Sequence, residues 1–188
     1  MLEPSTIRLL CHPSSRPAPV REIAVEVRRS VEGLSVGYRL SADPRELRVP
    51  PLGPPGMTEG LWGHTCFEVF ISAGDAPAYH ELNLAPSLQW AVFAFDSYRA
   101  GRMLRDPALA PRIAVRAFGD RLELDAHIAL ASLSAAYGRA PLRIGLSAVV
   151  EAADGERSYW ALRHVPGRPD FHHAGARALV VEPERVEC

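Results

Sequence analysis

Apolar and polar side chains alternate along most of this chain. Ile23, Val25 and Val27 alternate with Ala24, Glu26 and Arg28; beyond a Glu32-Gly33 turn, Leu34, Val36, Tyr38 and Leu40 alternate with Ser35, Gly37 and Arg39. Successive side chains of a strand point to opposite faces, so two such runs around a Gly-containing turn predict a hairpin with one buried face. Phe67, Val69 and Ile71 alternate with Cys66, Glu68 and Phe70, and Leu82 and Leu84 with Glu81 and Asn83. Leu88 to Phe95 is almost continuously apolar, which suits a strand covered on both faces. Ile113, Val115 and Ala117 lead through Gly119-Asp120 to Leu122, Leu124 and Ala126, a second hairpin. Further strands are expected over Leu142–Val150, Ser158–Arg163 and Arg177–Val181, and one short helix over Leu130–Tyr137. Short strands with frequent turns predict an all-β fold, a two-sheet antiparallel β-sandwich of immunoglobulin-like or jelly-roll type with at most one short helix. Residues 41–60 interrupt the pattern: Pro44, Pro50, Pro51, Pro54 and Pro55 with Gly53, Gly56 and Gly60 predict a long irregular loop inside one domain spanning 1–188.

Composition narrows the function classes. With 188 residues and 47% hydrophobic content the chain can bury a sizeable core. A formal net charge of -1 supplies no field to draw nucleic acid or an anionic membrane. All 21 basic residues are arginine, which excludes lysine chemistry such as Schiff bases, a pyridoxal-phosphate anchor or a P-loop lysine. Cys11, Cys66 and Cys188 are an odd number at unrelated spacings, unlike a disulfide framework. Met1 to Pro19 lacks the uninterrupted apolar stretch of a signal peptide, and no run reaches membrane-spanning length, so a cytoplasmic location is expected.

The stretch from Leu61 to Arg99 carries a denser pattern. Trp62 and a strand bearing Glu68 precede Y-x-E-x-N-x-x-P-S-x-x-W, here Tyr79, Glu81, Asn83, Pro86, Ser87 and Trp90. This pattern resembles bacterial DOMON-like proteins related to family 9 carbohydrate-binding modules. The later segments SYWALRH and GRPDFHH are similar to that family's C-terminal half, so the resemblance runs from about Ile7 to Val181. It implies a β-sandwich and a small ligand, sugar in some members of the wider superfamily and haem in others.

A saccharide site needs an aromatic plate against the C–H face of a sugar ring and fixed polar groups for its hydroxyls. Trp62 and Trp160 are the candidate plates, each beside an irregular segment. If Phe67, Val69, Ile71, Leu82 and Leu84 face the core, then Glu68, Glu81 and Asn83 share the opposite face. Arg99 offers forked donors and His172 lies in a flanking polar loop. Trp90, within the apolar run, is read as core. The expected function is non-catalytic binding of a saccharide or related polyhydroxylated small molecule in a groove on one sheet.

Two alternatives stand beside it. Non-covalent haem would need an axial pair such as Met103 with His172, and no C-x-x-C-H attachment motif exists. Structural calcium would need converging oxygens, whereas Asp75, Asp96 and Asp106 are scattered along the chain. His164 with His172 and His173 matches no zinc spacing. No cofactor is therefore expected. A glycoside-acting enzyme would need Glu68 and Glu81 as a cross-strand carboxylate pair. No G-x-S-x-G, H-E-x-x-H or phosphate loop is present. The expected partner is a small saccharide or glycan, and the motifs name neither the sugar nor the oligomeric state.

Overall fold

A computed structural model describes residues 6–16 and 19–184. The strands are β1 (Ile7–Arg8), β2 (Leu10–Cys11), β3 (Glu22–Ser30), β4 (Gly33–Ser41), β5 (Gly56–Met57), β6 (Cys66–Ala73), β7 (Tyr79–Leu84), β8 (Gln89–Ser97), β9 (Ala100–Met103), β10 (Arg112–Ala117), β11 (Arg121–Ile128), β12 (Leu142–Glu151), β13 (Arg157–Ala161) and β14 (Leu179–Val181). The helix α1 (Leu130–Leu133) and a following 3-10 turn, Ala135–Gly138, occupy the segment expected to be helical. Cys188 lies outside the described residues.

Two sheets form the predicted sandwich. One runs β1-β3-β4-β11-β10; the other runs β2-β13-β12-β6-β7-β8-β5, with β14 also on β12 and β9 on β8. All pairings are antiparallel except β5 with β8. Both predicted hairpins form. In the first, Val31 and Glu32 make the turn and Ser30 pairs with Gly33. Gly33 sits at φ +148°, and a Cβ there would lie 2.2 Å from the Ile128 carbonyl oxygen, so the hairpin closes against β11 only with glycine at this position.

The core lies between the sheets. Ile23, Val25, Leu34, Val36, Tyr38, Leu40, Leu122 and Leu124 of the first sheet meet Phe67, Val69, Ile71, Leu82, Leu84, Ile144 and Leu146 of the second. Tyr38 crosses this interior and its hydroxyl donates to the Glu68 carbonyl at 2.7 Å, satisfying a buried polar group while tying the sheets together. Tyr137 does the same from the helical corner, donating to the Ile71 carbonyl at 2.8 Å. The outer face of the first sheet is polar: Arg39, Arg116 and Arg121 all pair with Glu123.

Residues 41–60 are more ordered than the proline and glycine content predicts. Asp43 caps a 3-10 turn at Pro44–Glu46, Leu47 is buried and bridges to Ala152, and β5 adds to the edge of β8 at Gln89 and Trp90. The prolines suit this path because an edge segment leaves most of its N–H groups outside the ladder.

Candidate functional site

The second sheet turns a different face outward from the core, and that face is not wet. Every residue of β6 from Cys66 to Ser72 is buried, on both faces. Register fixes which side chains share the outer face. Glu68 lies between Ser147 of β12 and Asn83 of β7; Glu81 lies between Phe70 of β6 and Phe93 of β8, and Phe93 in turn faces Met103 of β9. The two glutamates are thus diagonal neighbours, not directly opposed as a cross-strand pair.

A groove of about 550 Å³ opens over these residues. Glu68, Glu81 and Phe70 form its floor; Phe93, Phe95 and Met103 form one side, and Val149 and Tyr159 the other. Gly101 lets Phe95 lie flat against β9, since a Cβ there would come within 2.5 Å of the ring. Trp62 stands at one end, on a 3-10 turn (Leu61–Gly63) that follows the left-handed Gly60. It remains 43% exposed, with its indole edge-on to Phe93 at 5.8 Å.

The other end is closed by the loop through Pro169, Phe171 and His172. Asp170 anchors that loop to the β8–β9 turn: its carboxylate accepts from Tyr98 Oη at 2.8 Å and from Arg99 Nη2 at 3.0 Å. Those bonds and the Arg99 guanidinium hold Asp170 below the usual carboxylate range, against the opposing effect of its burial. Arg99 adopts φ +55°, a left-handed conformation that non-glycine residues rarely occupy, which lets its backbone N–H donate to the Tyr79 hydroxyl at 3.2 Å. Tyr79 stacks on Phe95 with ring centres 4.7 Å apart and meets His172 Nδ1 at 2.9 Å. With the Tyr79 proton given to Nδ1, the remaining N–H of His172 is Nε2, turned toward Glu81 Oε2 at 3.6 Å. Burial first, and then the neighbouring Arg99, push His172 down to about 4, so the ring is neutral near physiological pH.

The glutamates are held almost out of water, Glu68 3% and Glu81 6% exposed. Glu68 Oε2 accepts from Ser147 Oγ at 3.1 Å; Glu81 Oε1 accepts from Asn83 Nδ2 at 2.8 Å. Burial raises both well above the ordinary carboxylate range, and repulsion from Glu81 raises Glu68 further. Near neutral pH the carboxyls are therefore partly protonated, and the floor offers both donors and acceptors.

Of the seven residues singled out in the sequence, Trp62, Glu68, Glu81, Arg99 and His172 line one groove. Asn83 is fully buried and acts behind it, orienting Glu81. Trp160 corrects the expectation: it is 5% exposed within the core and donates from Nε1 to Ser158 Oγ at 2.9 Å. On β13 the groove face belongs to Arg157 and Tyr159, so the aromatic at that position is a tyrosine one residue earlier. Phe93, Phe95 and Phe171 were missed as groove residues; two of them sit in an apolar run that gives no sign of which face is open.

The haem reading places Met103 and His172 in this same groove. There His172 Nδ1 meets the Tyr79 hydroxyl at 2.9 Å and Nε2 lies 3.6 Å from Glu81 Oε2. Asp75 pairs with Arg143 and Asp106 caps the turn at Pro107; among the described residues no three His, Cys, Asp or Glu side chains converge on a possible ion position. No helix among the described residues is long and apolar enough to cross a membrane. A smaller depression on the first sheet, about 310 Å³ and lined by Arg28, Arg112 and His127 among others, contains no Phe, Tyr or Trp side chain.

No protein-family model matches the sequence, and no curated protein is similar to it. Solved structures are similar in fold. A Bacteroides uniformis protein, provisionally described as carbohydrate-binding, superposes with a TM-score of 0.70 at 12% identity, covering 92% of this chain and 83% of that one. A family 9 carbohydrate-binding module from Caldicellulosiruptor kristjanssonii, in complex with cellotriose, gives 0.56 at 10% identity over 87% of this chain and 75% of the module. The same organism's family 9 module with glucose gives 0.55 at 10% identity, over 93% and 81%. The chain thus has the β-sandwich fold of family 9 carbohydrate-binding modules.

Proposed function

We propose that this protein binds a saccharide or related polyhydroxylated small molecule, without chemistry, in the groove between Trp62 and the His172 loop. The observation that carries this reading is the pairing of an exposed indole with a buried polar floor. Trp62 is the exposed one of the three tryptophans, at the mouth of a groove whose base presents Glu68 and Glu81. An apolar plate beside fixed hydrogen-bonding groups matches the two surfaces of a sugar ring. The cellotriose and glucose complexes of family 9 modules of like fold support it.

The placement of the glutamates argues against hydrolysis. Glycosidase carboxyls flank the scissile bond, whereas Glu68 and Glu81 rise side by side from adjacent strands and reach a ligand from the same side. Calorimetric titration with a panel of mono- and disaccharides tests the reading. Trp62→Ala is expected to weaken the best ligand at least about thirtyfold, roughly 2 kcal/mol of lost stacking contact. Undiminished affinity in that variant would place the ligand elsewhere.

A further inference from the structure

The groove floor has a property that a neutral sugar does not require. Glu68 and Glu81 have no arginine within ion-pair distance among the described residues, and the His172 that Glu81 faces is held neutral. Each carboxyl uses one oxygen internally, Glu68 Oε2 with Ser147 and Glu81 Oε1 with Asn83. The other oxygens, Glu68 Oε1 and Glu81 Oε2, make no hydrogen bond within the described residues, and neither is a sealed, unsatisfied atom, so both open into the groove. Aromatic rings surround them: Phe70, Phe93, Phe95, Tyr159 and Phe171. The negative faces of such rings attract cations.

The arginines nearby do not fill this role. Arg99 is committed to Asp170, and Arg177 lies behind the Tyr79 ring, donating to Ser72 Oγ and the His172 carbonyl. Arg102 and Arg157 are exposed at the mouth, in water, where charge interactions are weak. The Arg99 guanidinium acts on Glu81 from a distance but makes no ion pair with either carboxyl, so ionising this buried pair remains costly, and a cation brought by the ligand offsets that cost.

On the basis of the saccharide-binding reading, we propose that the ligand carries a protonated amine beside its hydroxyls, an amino sugar or amino-polyol, with the ammonium seated between Glu68 Oε1 and Glu81 Oε2. The exchange balances simply. The ammonium enters with its charge, a proton held on the carboxyls leaves to solvent, and no covalent bond to the ligand changes.

Calorimetry near neutral pH with glucosamine, glucose and N-acetylglucosamine as probes, repeated in two buffers of different ionisation enthalpy, tests this. Glucosamine is expected to bind about tenfold tighter than the two neutral sugars. Its apparent enthalpy should follow the buffer, reporting proton release, while theirs should not. Glu68→Gln, close to isosteric and checked for native circular dichroism, should lower the ratio of glucosamine to glucose affinity and reduce the proton release. Equal or tighter binding of glucose, or a buffer-independent enthalpy for glucosamine, overturns the amine and leaves saccharide binding standing. Absence of glucosamine binding overturns the amine, and absence of binding across the full panel of mono- and disaccharides overturns the saccharide reading as well.

Discussion

Trp90→Ala is expected to cost about 3–5 kcal/mol of folding stability, the range for truncating a large buried aromatic. Trp90 is 5% exposed, packs in the core between the sheets, and lies on β8 where β5 pairs alongside it. Trp160→Ala should behave alike, because it also fills that core, and it would lose the Nε1 bond to Ser158 as well. Trp62→Ala should stay within about 1 kcal/mol of wild type, since its ring is 43% exposed and removing it empties no sealed volume. Urea unfolding of the three variants measures this directly. If Trp62→Ala destabilised the protein as much as Trp90→Ala, the indole at the groove mouth would be a packing element, and the site would lose its plate.

The buried glutamates make a second large effect visible in the pH dependence of stability. Their folded pKa values lie above the unfolded value of about 4.5, so the folded state holds protons that the unfolded state has released. The stabilisation from the protonated pair is present in acid and is lost as pH rises through the folded values. His172, lowered to about 4, acts in the opposite sense: its contribution is present above its ordinary 6.5 and disappears as pH falls. His80 and His164 are lowered too, and Asp170 and Glu151 are depressed, so their contributions also decline on the acid side. Above about pH 6.5 the glutamate pair therefore dominates. Wild type should lose about 1–2 kcal/mol between neutral and mildly alkaline pH, and Glu68→Gln should remove much of that slope. A flat wild-type profile over this interval would mean that the carboxyls ionise freely in contact with water.

Much of the architecture was readable because each strand of the first sheet is covered on one side only. Along Leu34, Val36, Tyr38 and Leu40 the alternation marks both the strand and its inner face. The same logic placed Glu68, Glu81 and Asn83 together, because their apolar neighbours face the core. It failed where a strand is covered on both sides and polarity no longer labels a face. Phe93 and Phe95 read as interior yet line the groove, while Trp160 read as a plate yet fills the core. On β13 the choice between Tyr159 and Trp160 depends on the pairing of Val149 with Tyr159, a contact between distant segments that no local pattern encodes. The loop through Asp170 and His172 closes the groove by side-chain bonds to Tyr98 and Arg99, which have no periodic signature at all.

Tryptophan fluorescence tests the central claim most directly, because Trp62 is exposed at the groove while Trp90 and Trp160 are each 5% exposed in the core. Titration of the wild type with the saccharide found to bind should give a saturable change in emission that is absent from Trp62→Ala at equal protein concentration. Binding that leaves the wild-type emission unchanged, or a signal that persists in Trp62→Ala, would contradict a ligand seated against this indole.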